Sequence, residues 1–258
     1  MRAFLAGAFS FFVVMSGVAN GQQSAELAPN NTLRVAALLS NPVLVTKKQD
    51  GGLGGVAIEL GQMIATKLGV RFQAVPYQTT DTFAKSFGAG EWDIAIGPRT
   101  PVAEKHADLS QPFMLVDNIY VAAPGKQFSN ANEVDRSGVR IAVVLNGAPD
   151  QYLSKNLKAA TLIRVDGATP QIVQTLREGK ADVYGSNAEN VQAAANQLPG
   201  STIVPGAFRS VEMVVAIPKG RSSAAQDAIK AYVNEAKSSG LVQKAITSAG
   251  LKGVRVAD

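Results

Sequence analysis

The chain has 258 residues, 46% of them apolar, which is enough for a substantial core in one or two domains of ordinary size. It has no cysteine, which excludes disulfide frameworks, thiolate zinc sites, cysteine nucleophiles and a lipid anchor on an N-terminal Cys. The formal charge is +5, but Lys and Arg are scattered. A solvated surface is therefore expected rather than a nucleic-acid-binding patch, and the excess can favour an anionic ligand or a negatively charged membrane surface.

In chain order, Arg2 precedes an apolar run over residues 4–19, and Ala19-Asn20-Gly21 has the small-x-small pattern of a cleavage site. Residues 1–21 thus read as a cleavable secretory signal, with an exported, soluble mature chain starting near Gln22. No later segment is apolar enough to span a bilayer. After a polar arm (22–31), residues 33–39 form a nearly all-apolar strand, as expected of one buried on both faces, ending at the turn Ser40-Asn41-Pro42. A Gly-rich, hairpin-like excursion (47–55) leads into an amphipathic helix over 56–68, with Val56, Leu60, Ile64 and Leu68 on one face and Gly69 as its stop. A second strand covers 70–77. Thr79 or Thr80 caps a helix over 80–87, which places Phe83 and Phe87 one turn apart on one face.

Next comes Gly90-Glu91-Trp92-Asp93-Ile94-Ala95-Ile96-Gly97-Pro98-Arg99-Thr100, a turn, a short buried strand (92–96) and a polar loop. Residues 101–108 read as a short polar connection, and 114–123 as a long extended run. A strand over 139–145 opens on Asn146-Gly147-Ala148-Pro149. A helix (149–157), a short strand (162–165) and a helix begun by the cap pair Thr169-Pro170 follow. About ninety residues after the first, Gly179-Lys180-Ala181-Asp182-Val183-Tyr184-Gly185-Ser186-Asn187 repeats the order of helix, Gly turn, strand and polar loop. An Ala-rich helix (188–197), an extended run (211–217), a helix opened by the capping-box pattern Ser223-Ala224-Ala225-Gln226 and a last helix (241–249) complete the chain.

Two such modules imply two α/β lobes facing each other across a cleft. The runs 114–123 and 209–215 are the candidate hinges, which makes residues 30–116 and 213–258 one lobe and residues 119–209 the other. Interleaved lobes joined by two strands allow rigid-body closure on a ligand.

In order and spacing, these pieces resemble the family 3 extracellular solute-binding proteins, the periplasmic amino-acid-type receptors of ABC importers. The resemblance covers residues 32–250. It rests on Leu33-Arg34-Val35-Ala36, on residues 55–70, on Gly90-Glu91-Trp92-Asp93 and on Ala107-Asp108-Leu109-Ser110-Gln111-Pro112-Phe113, which is similar to the family's V-D-F-S-x-P-Y. Gly138-Val139-Arg140-Ile141-Ala142-Val143, Lys180-Ala181-Asp182-Val183 and Ile217-Pro218-Lys219-Gly220 add to it. It implies the type II periplasmic-binding-protein fold, two α/β lobes with a ligand cleft between them and two hinge strands. It also implies a monomeric periplasmic protein that captures a small polar or anionic solute and delivers it to the membrane permease of an ABC importer. No cofactor and no metal is implied. The chain departs from the family where the family's T-P-x-R places a carboxylate-clamping Arg, because Thr100-Pro101-Val102-Ala103 puts Ala103 there. The family's ammonium-binding acid aligns with Asn187, and its G-T or G-S loop is matched loosely by Asn146-Gly147-Ala148.

The candidate ligand-binding residues are Asn41, Gln78, Arg99, Thr100, Asn146, Gly147 and Asn187, all beyond predicted strand ends, where open α/β sheets bind ligands. Arg99 is either a carboxylate clamp, for which its planar fork is suited, or a surface or interlobe salt-bridge partner. The three Asn are either ligand contacts or turn residues. Tyr77 and Trp92 are either a stacking face or core, and Thr79 is either ligand-facing or a cap. His106, the only histidine, lies in a polar turn, and Asp93 and Asp182 read as turn or cap residues preceding strands. No catalytic set is expected, since one exposed His supports no triad and no His or Cys cluster suggests a metal. With Asn187 in place of an acid, ordinary α-amino acids are expected to be poorer ligands than organic acids or compounds lacking a free α-ammonium. Two alternatives share the fold: a cyclohexadienyl dehydratase-like enzyme, with Glu189 as its candidate general acid, and a ligand-sensing partner of a membrane receptor.

Overall fold

The computed structural model describes residues 26–145, 147–166 and 169–258. The expected signal segment therefore lies outside the described residues, as does Asn146. Among those described, no helix is long and apolar enough to cross a membrane.

The fold is a mixed α/β arrangement of two lobes on one continuous ten-stranded sheet, ordered β4-β1-β5-β11-β7-β10-β8-β9, with β6 added to β11 and β12 to β7. The first lobe contributes the parallel strands β1 (Thr32–Leu38), β4 (Arg71–Tyr77) and β5 (Ile94–Pro98). The second contributes the parallel strands β8 (Arg140–Val144), β9 (Thr161–Val165) and β10 (Val183–Asn187). Two long antiparallel strands, β7 (Met114–Ala122) and β11 (Thr202–Pro218), pair at the centre and join the lobes. The two-stranded excursion is β2 (Thr46–Lys47) with β3 (Leu53–Gly54).

The helices follow the apolar spacing. α1 (Val56–Leu68) buries Val56, Leu60, Ile64 and Leu68 against β1 and stops at Gly69, whose φ of 69° is the left-handed conformation that a side chain disfavours. α2 (Thr80–Lys85) is capped by Thr79 in a reciprocal box with Thr82 and ends two residues short of the expected Phe87. Phe83 and Phe87 still meet edge-on at 5.6 Å, and Trp92 packs on Phe87 at 5.1 Å. Trp92 donates its indole N–H to Ser86 Oγ at 2.8 Å and is core. Residues 101–106, expected as an irregular connection, are helix α3 (Pro101–His106). Thr100 is its N-cap and Pro101 its first residue, the same cap signature read elsewhere in the chain. In the second lobe α4 (Ala148–Asn156), α5 (Thr169–Arg177) and α6 (Ala188–Gln197) cover the sheet. Thr169 is itself helical in α5, so it is not the cap expected from the sequence. α7 (Ser223–Ser238) starts one residue before the expected cap. Ser222 accepts from Ala225 N–H, and Gln226 instead donates to Asp108 and to the Arg221 carbonyl. α8 (Leu241–Ser248) follows Gly240.

Three elements carried too few apolar positions to be read in advance. These are β6 (Ala107–Leu109), a 3-10 turn at Ala131–Glu133 and β12 (Val254–Val256). The buried apolar residues sort by lobe. One large cluster with an aromatic satellite draws on residues before 117 and after 210, and two others draw on residues 119–208.

Asp93 and Asp182 do more than turn the chain. Asp93, 1% exposed, accepts from Arg34 N–H at 2.9 Å and from its guanidinium at 2.8 and 3.1 Å, while its own N–H donates to the Arg34 carbonyl. Asp182, 4% exposed, makes the same set with Arg140 and adds Lys126 Nζ at 2.9 Å. Each carboxylate pins the start of one parallel strand to the next. Burial raises the Asp182 pKa, but the bonds from Arg140 and Lys126 outweigh it and hold the carboxyl well below the usual range. A depressed carboxyl adds stability that is complete above about pH 4, its unfolded value, and is lost as pH falls through the folded value. Asp182→Asn should therefore lower stability by about 1.5–3 kcal/mol at pH 7. The deficit relative to wild type should shrink as chemical denaturation is repeated below about pH 4. A deficit unchanged with pH would locate the loss in packing.

Candidate functional site

The carboxyl ends of the parallel strands position the expected site residues. On the first lobe Asn41, Gln78 and Arg99 follow β1, β4 and β5, three adjacent strands. Asn41 Oδ1 accepts from Val43 N–H at 3.2 Å, so part of its amide serves the turn. Gln78 is exposed. Thr100 accepts from Ala103 N–H as the α3 cap, and Ala103 is buried. Arg99, 35% exposed, gives its Nε–H to Glu212 of β11 at 2.5 Å, lies 3.6 Å from Glu104 of α3 and reaches the Ser110 carbonyl at 3.5 Å. One guanidinium between two carboxylates leaves the group with a net formal charge of −1. Nε is thus occupied by Glu212, while the two terminal nitrogens make only long contacts.

On the second lobe the structure gathers a different set. A cavity of about 300 Å³ at the carboxyl ends of β8 and β10 is lined by Asn118, Gly147, Ala148, Ser186, Asn187 and Asn190, among others. Gly147 is the N-cap of α4 and has no side chain to cap it with, and its N–H donates to the Val144 carbonyl. Asn187 is the N-cap of α6, its Oδ1 accepting from Asn190 N–H at 2.9 Å, while Asn190 Nδ2 donates to Ser186 Oγ at 3.3 Å. Two helix N-termini, each carrying a partial positive charge, therefore meet at one cavity, and no carboxylate of the described residues lines it. Of the residues expected from the sequence, Gly147 and Asn187 line this cavity; Asn118, Ser186 and Asn190 line it too and were not among those expected. A signal for Asn118 existed. It alternates with Val116 and Tyr120 on a face of the strand that is otherwise apolar, where a polar residue interrupts the pattern.

The remaining candidates lie apart. Tyr77 is buried in the aromatic cluster and donates its hydroxyl to Glu91 at 2.6 Å. His106 is exposed at the end of α3. Glu189 is exposed on the first turn of α6. Among the described residues, no three metal-ligating side chains cluster.

The chain matches, over residues 33–248, the family described as bacterial extracellular solute-binding proteins, family 3. It belongs to that family. A cyclohexadienyl dehydratase from Pseudomonas aeruginosa is 24% identical over 226 residues, covering 83% of this chain and 81% of that one. Among solved structures, an ancestral cationic amino acid solute-binding protein, AncCDT-1, matches with a TM-score of 0.64 at 21% identity, covering 87% of this chain and 98% of that one. A mutant of the arginine-binding protein ArgBP from T. maritima matches at 0.59 and 21%, covering 88% and 99%. An ancestral arginine-binding protein bound to arginine matches at 0.58 and 25%, covering 85% and 98%. These neighbours share the type II periplasmic-binding-protein fold of this chain, two lobes with a cleft between them and two hinge strands.

Arg99 offers a direct check on its two readings. The ion pair with Glu212 is partly exposed on both sides, so Arg99→Ala should cost no more than about 1 kcal/mol of stability. A larger loss, measured by denaturant unfolding without solute, would make the residue a structural tie between β5 and β11.

Proposed function

We propose that this protein is a periplasmic solute-binding protein of an ABC importer. It captures a small polar or anionic solute by closing its two lobes and carries the solute to a membrane permease. The observation that carries this reading is that polar residues follow the carboxyl ends of β1, β4 and β5 on one lobe and of β8 and β10 on the other, with β7 and β11 running between the lobes. In this reading the moving bodies are residues 30–116 with 213–258, and residues 119–209. The solute meets Asn41, Gln78, Arg99 and Thr100 on one side and Gly147 and Asn187 on the other, with Asn146, which lies outside the described residues, beside Gly147. The leader over residues 1–21 directs the chain to the periplasm, where it acts as a monomer without cofactor or metal.

A ligand that binds the closed form more tightly shifts the population toward it. Small-angle scattering should therefore show a smaller radius of gyration on addition of whichever solute most raises the melting temperature in a panel of amino acids, organic acids and amino-acid derivatives. An unchanged radius at saturation would rule out capture by closure.

A second reading, an enzyme related to the dehydratase, is favoured by the similarity to the Pseudomonas protein. Such chemistry needs a positioned general acid in the cleft, and Glu189 is the candidate. Incubation with prephenate or arogenate is expected to give no aromatic product above the uncatalysed rate. Product formation abolished by Glu189→Gln would replace the transport reading with the enzymatic one.

A further inference from the structure

We propose that Gly253 is a positioning residue on which the second lobe seats against the first, so that its missing side chain sets the angle between the two cleft walls. The proposal rests on capture by lobe closure and names the contact that limits it.

The contact sits where the two lobes share one strand. β10 pairs with residues 118–122 of β7 and β12 with residues 114–116, both antiparallel and both on the edge of β7 that β11 does not occupy. The two strands therefore lie end to end along that edge, one from each lobe, and Asp117 is the changeover. Val254 and Val256 of β12 pack on the first-lobe core, while α6, which leaves the end of β10, buries Val191 and Ala194 in the second. At the changeover Asp117 N–H donates to the Gly253 carbonyl at 2.8 Å, so residue 253 is fixed to the hinge strand. Ala188, the first residue of α6, is 4% exposed and meets it from the other lobe.

A Cβ on Gly253 would overlap that of Ala188, whereas the next atoms, the Ala188 Cα and the Asp117 Cβ, are 3.8 Å away. The crowding is thus a single meeting of methyl with methyl. Such carbons rest at about 3.5–4.0 Å, so a side chain at 253 drives α6 off by about 1 Å. Backbone conformation alone does not account for the glycine. Gly250, in the same segment, has a φ of 62° against 60° at Gly253, yet nothing lies within 4 Å of where its Cβ would be. The C-terminal segment is tied at several points. Arg255 faces Asp117 at 3.6 Å and reaches Ser210 at 3.4 Å, and Ala257 N–H donates to the Phe113 carbonyl at 3.2 Å. The lobe therefore yields before the segment does. Asn187, the cap of α6 and a candidate solute contact, directly precedes Ala188, so a displacement of α6 moves the second wall of the cleft.

The chain has no cysteine, so spin labels on Lys105→Cys of α3 and Lys155→Cys of α4, both exposed positions, report the distance between the lobes in the solute-free protein. Gly253→Ala and Ala188→Val crowd the contact from its two sides. Each should shift the mean label distance by more than the roughly 1 Å displaced at the contact, since a rotation is magnified away from its hinge. Adding Ala188→Gly to Gly253→Ala moves the methyl from one side to the other and should restore the wild-type distance. Gly250→Ala carries the same backbone cost without a contact, so it should lower the melting temperature and leave the distance unchanged. The double variant should keep that loss of melting temperature while regaining the distance, a separation that a merely structural glycine would not give. The proposal is overturned if Gly253→Ala leaves the distance as in wild type, or if Ala188→Gly fails to restore it. If Gly253→Ala does not fold, Ala188→Val decides alone, and an unshifted distance there overturns the proposal. A scattering radius that no solute contracts would remove capture by closure, and the label distances would still decide this contact.

Discussion

The antiparallel pairing of β7 with β11 is the constraint on which the rest of the molecule depends. Met213 of β11 is opposite Met114 of β7 on one side and Pro98 of β5 on the other, while Asn118 of β7 is opposite Arg209 of β11 and Asn187 of β10. One two-stranded ribbon thus carries a complete sheet on each flank. The pairing slips between Val204 and Arg209, a register shift in β11 beside the stretch of β7 that pairs with β10. A bulged ribbon twists more readily than a regular one, which suits a joint. Asp117, just below this point, accepts from Ser210 at 2.5 Å and faces Arg255 of the C-terminal segment at 3.6 Å. Gly253 in that segment presses on α6 so closely that a Cβ would lie 2.4 Å from that of Ala188. The C-terminus is therefore a third connection at the joint, and its fit leaves no room for a side chain.

From this ribbon outward the two lobes mirror each other. β4-β1-β5-β11 on one side corresponds to β9-β8-β10-β7 on the other, with three parallel strands followed by one antiparallel strand. The same carboxylate–arginine clasp recurs at the same place, Arg34 with Asp93 and Arg140 with Asp182. In each clasp the carboxylate accepts from one backbone N–H and from the guanidinium of the arginine on the neighbouring parallel strand, tying the strand whose far end bears the candidate site residues to its neighbour. The lobes differ at that far end. The first offers an arginine already held between two acids, and the second offers neutral amides and two helix N-termini.

Much of this was legible in the sequence because it depends on short-range patterning. The spacing of Val56, Leu60, Ile64 and Leu68 with Gly69 fixes α1, and the repeated Gly-x-x-Asp before an apolar run marks β5 and β10. The elements missed are those whose reason is tertiary. β12 holds three residues and exists because β7 has an open edge at Met114 to Val116, and β6 exists because β11 has one at Ala216 to Pro218. α3 was missed although Thr100-Pro101 carries a helix-start signature, because the residues that follow it are polar and show no apolar face. The site was legible only as positions. Strand ends could be located, but whether Arg99 is free depends on Glu212, more than a hundred residues away.

The distinction between binding and catalysis on this fold is one of where a carboxyl sits. A general acid must be held at the reacting bond and kept from bulk water, so that its proton is delivered to the leaving group. The wall nearest the hinge in this chain is built from amides, a serine and backbone N–H groups, which can orient and partly neutralise an anion but have no proton to give at neutral pH. Glu189 stands one turn away on the outer side of a capped helix, exposed. To act as a general acid it would have to be shielded from water in the cleft, which its exposed position does not provide by itself.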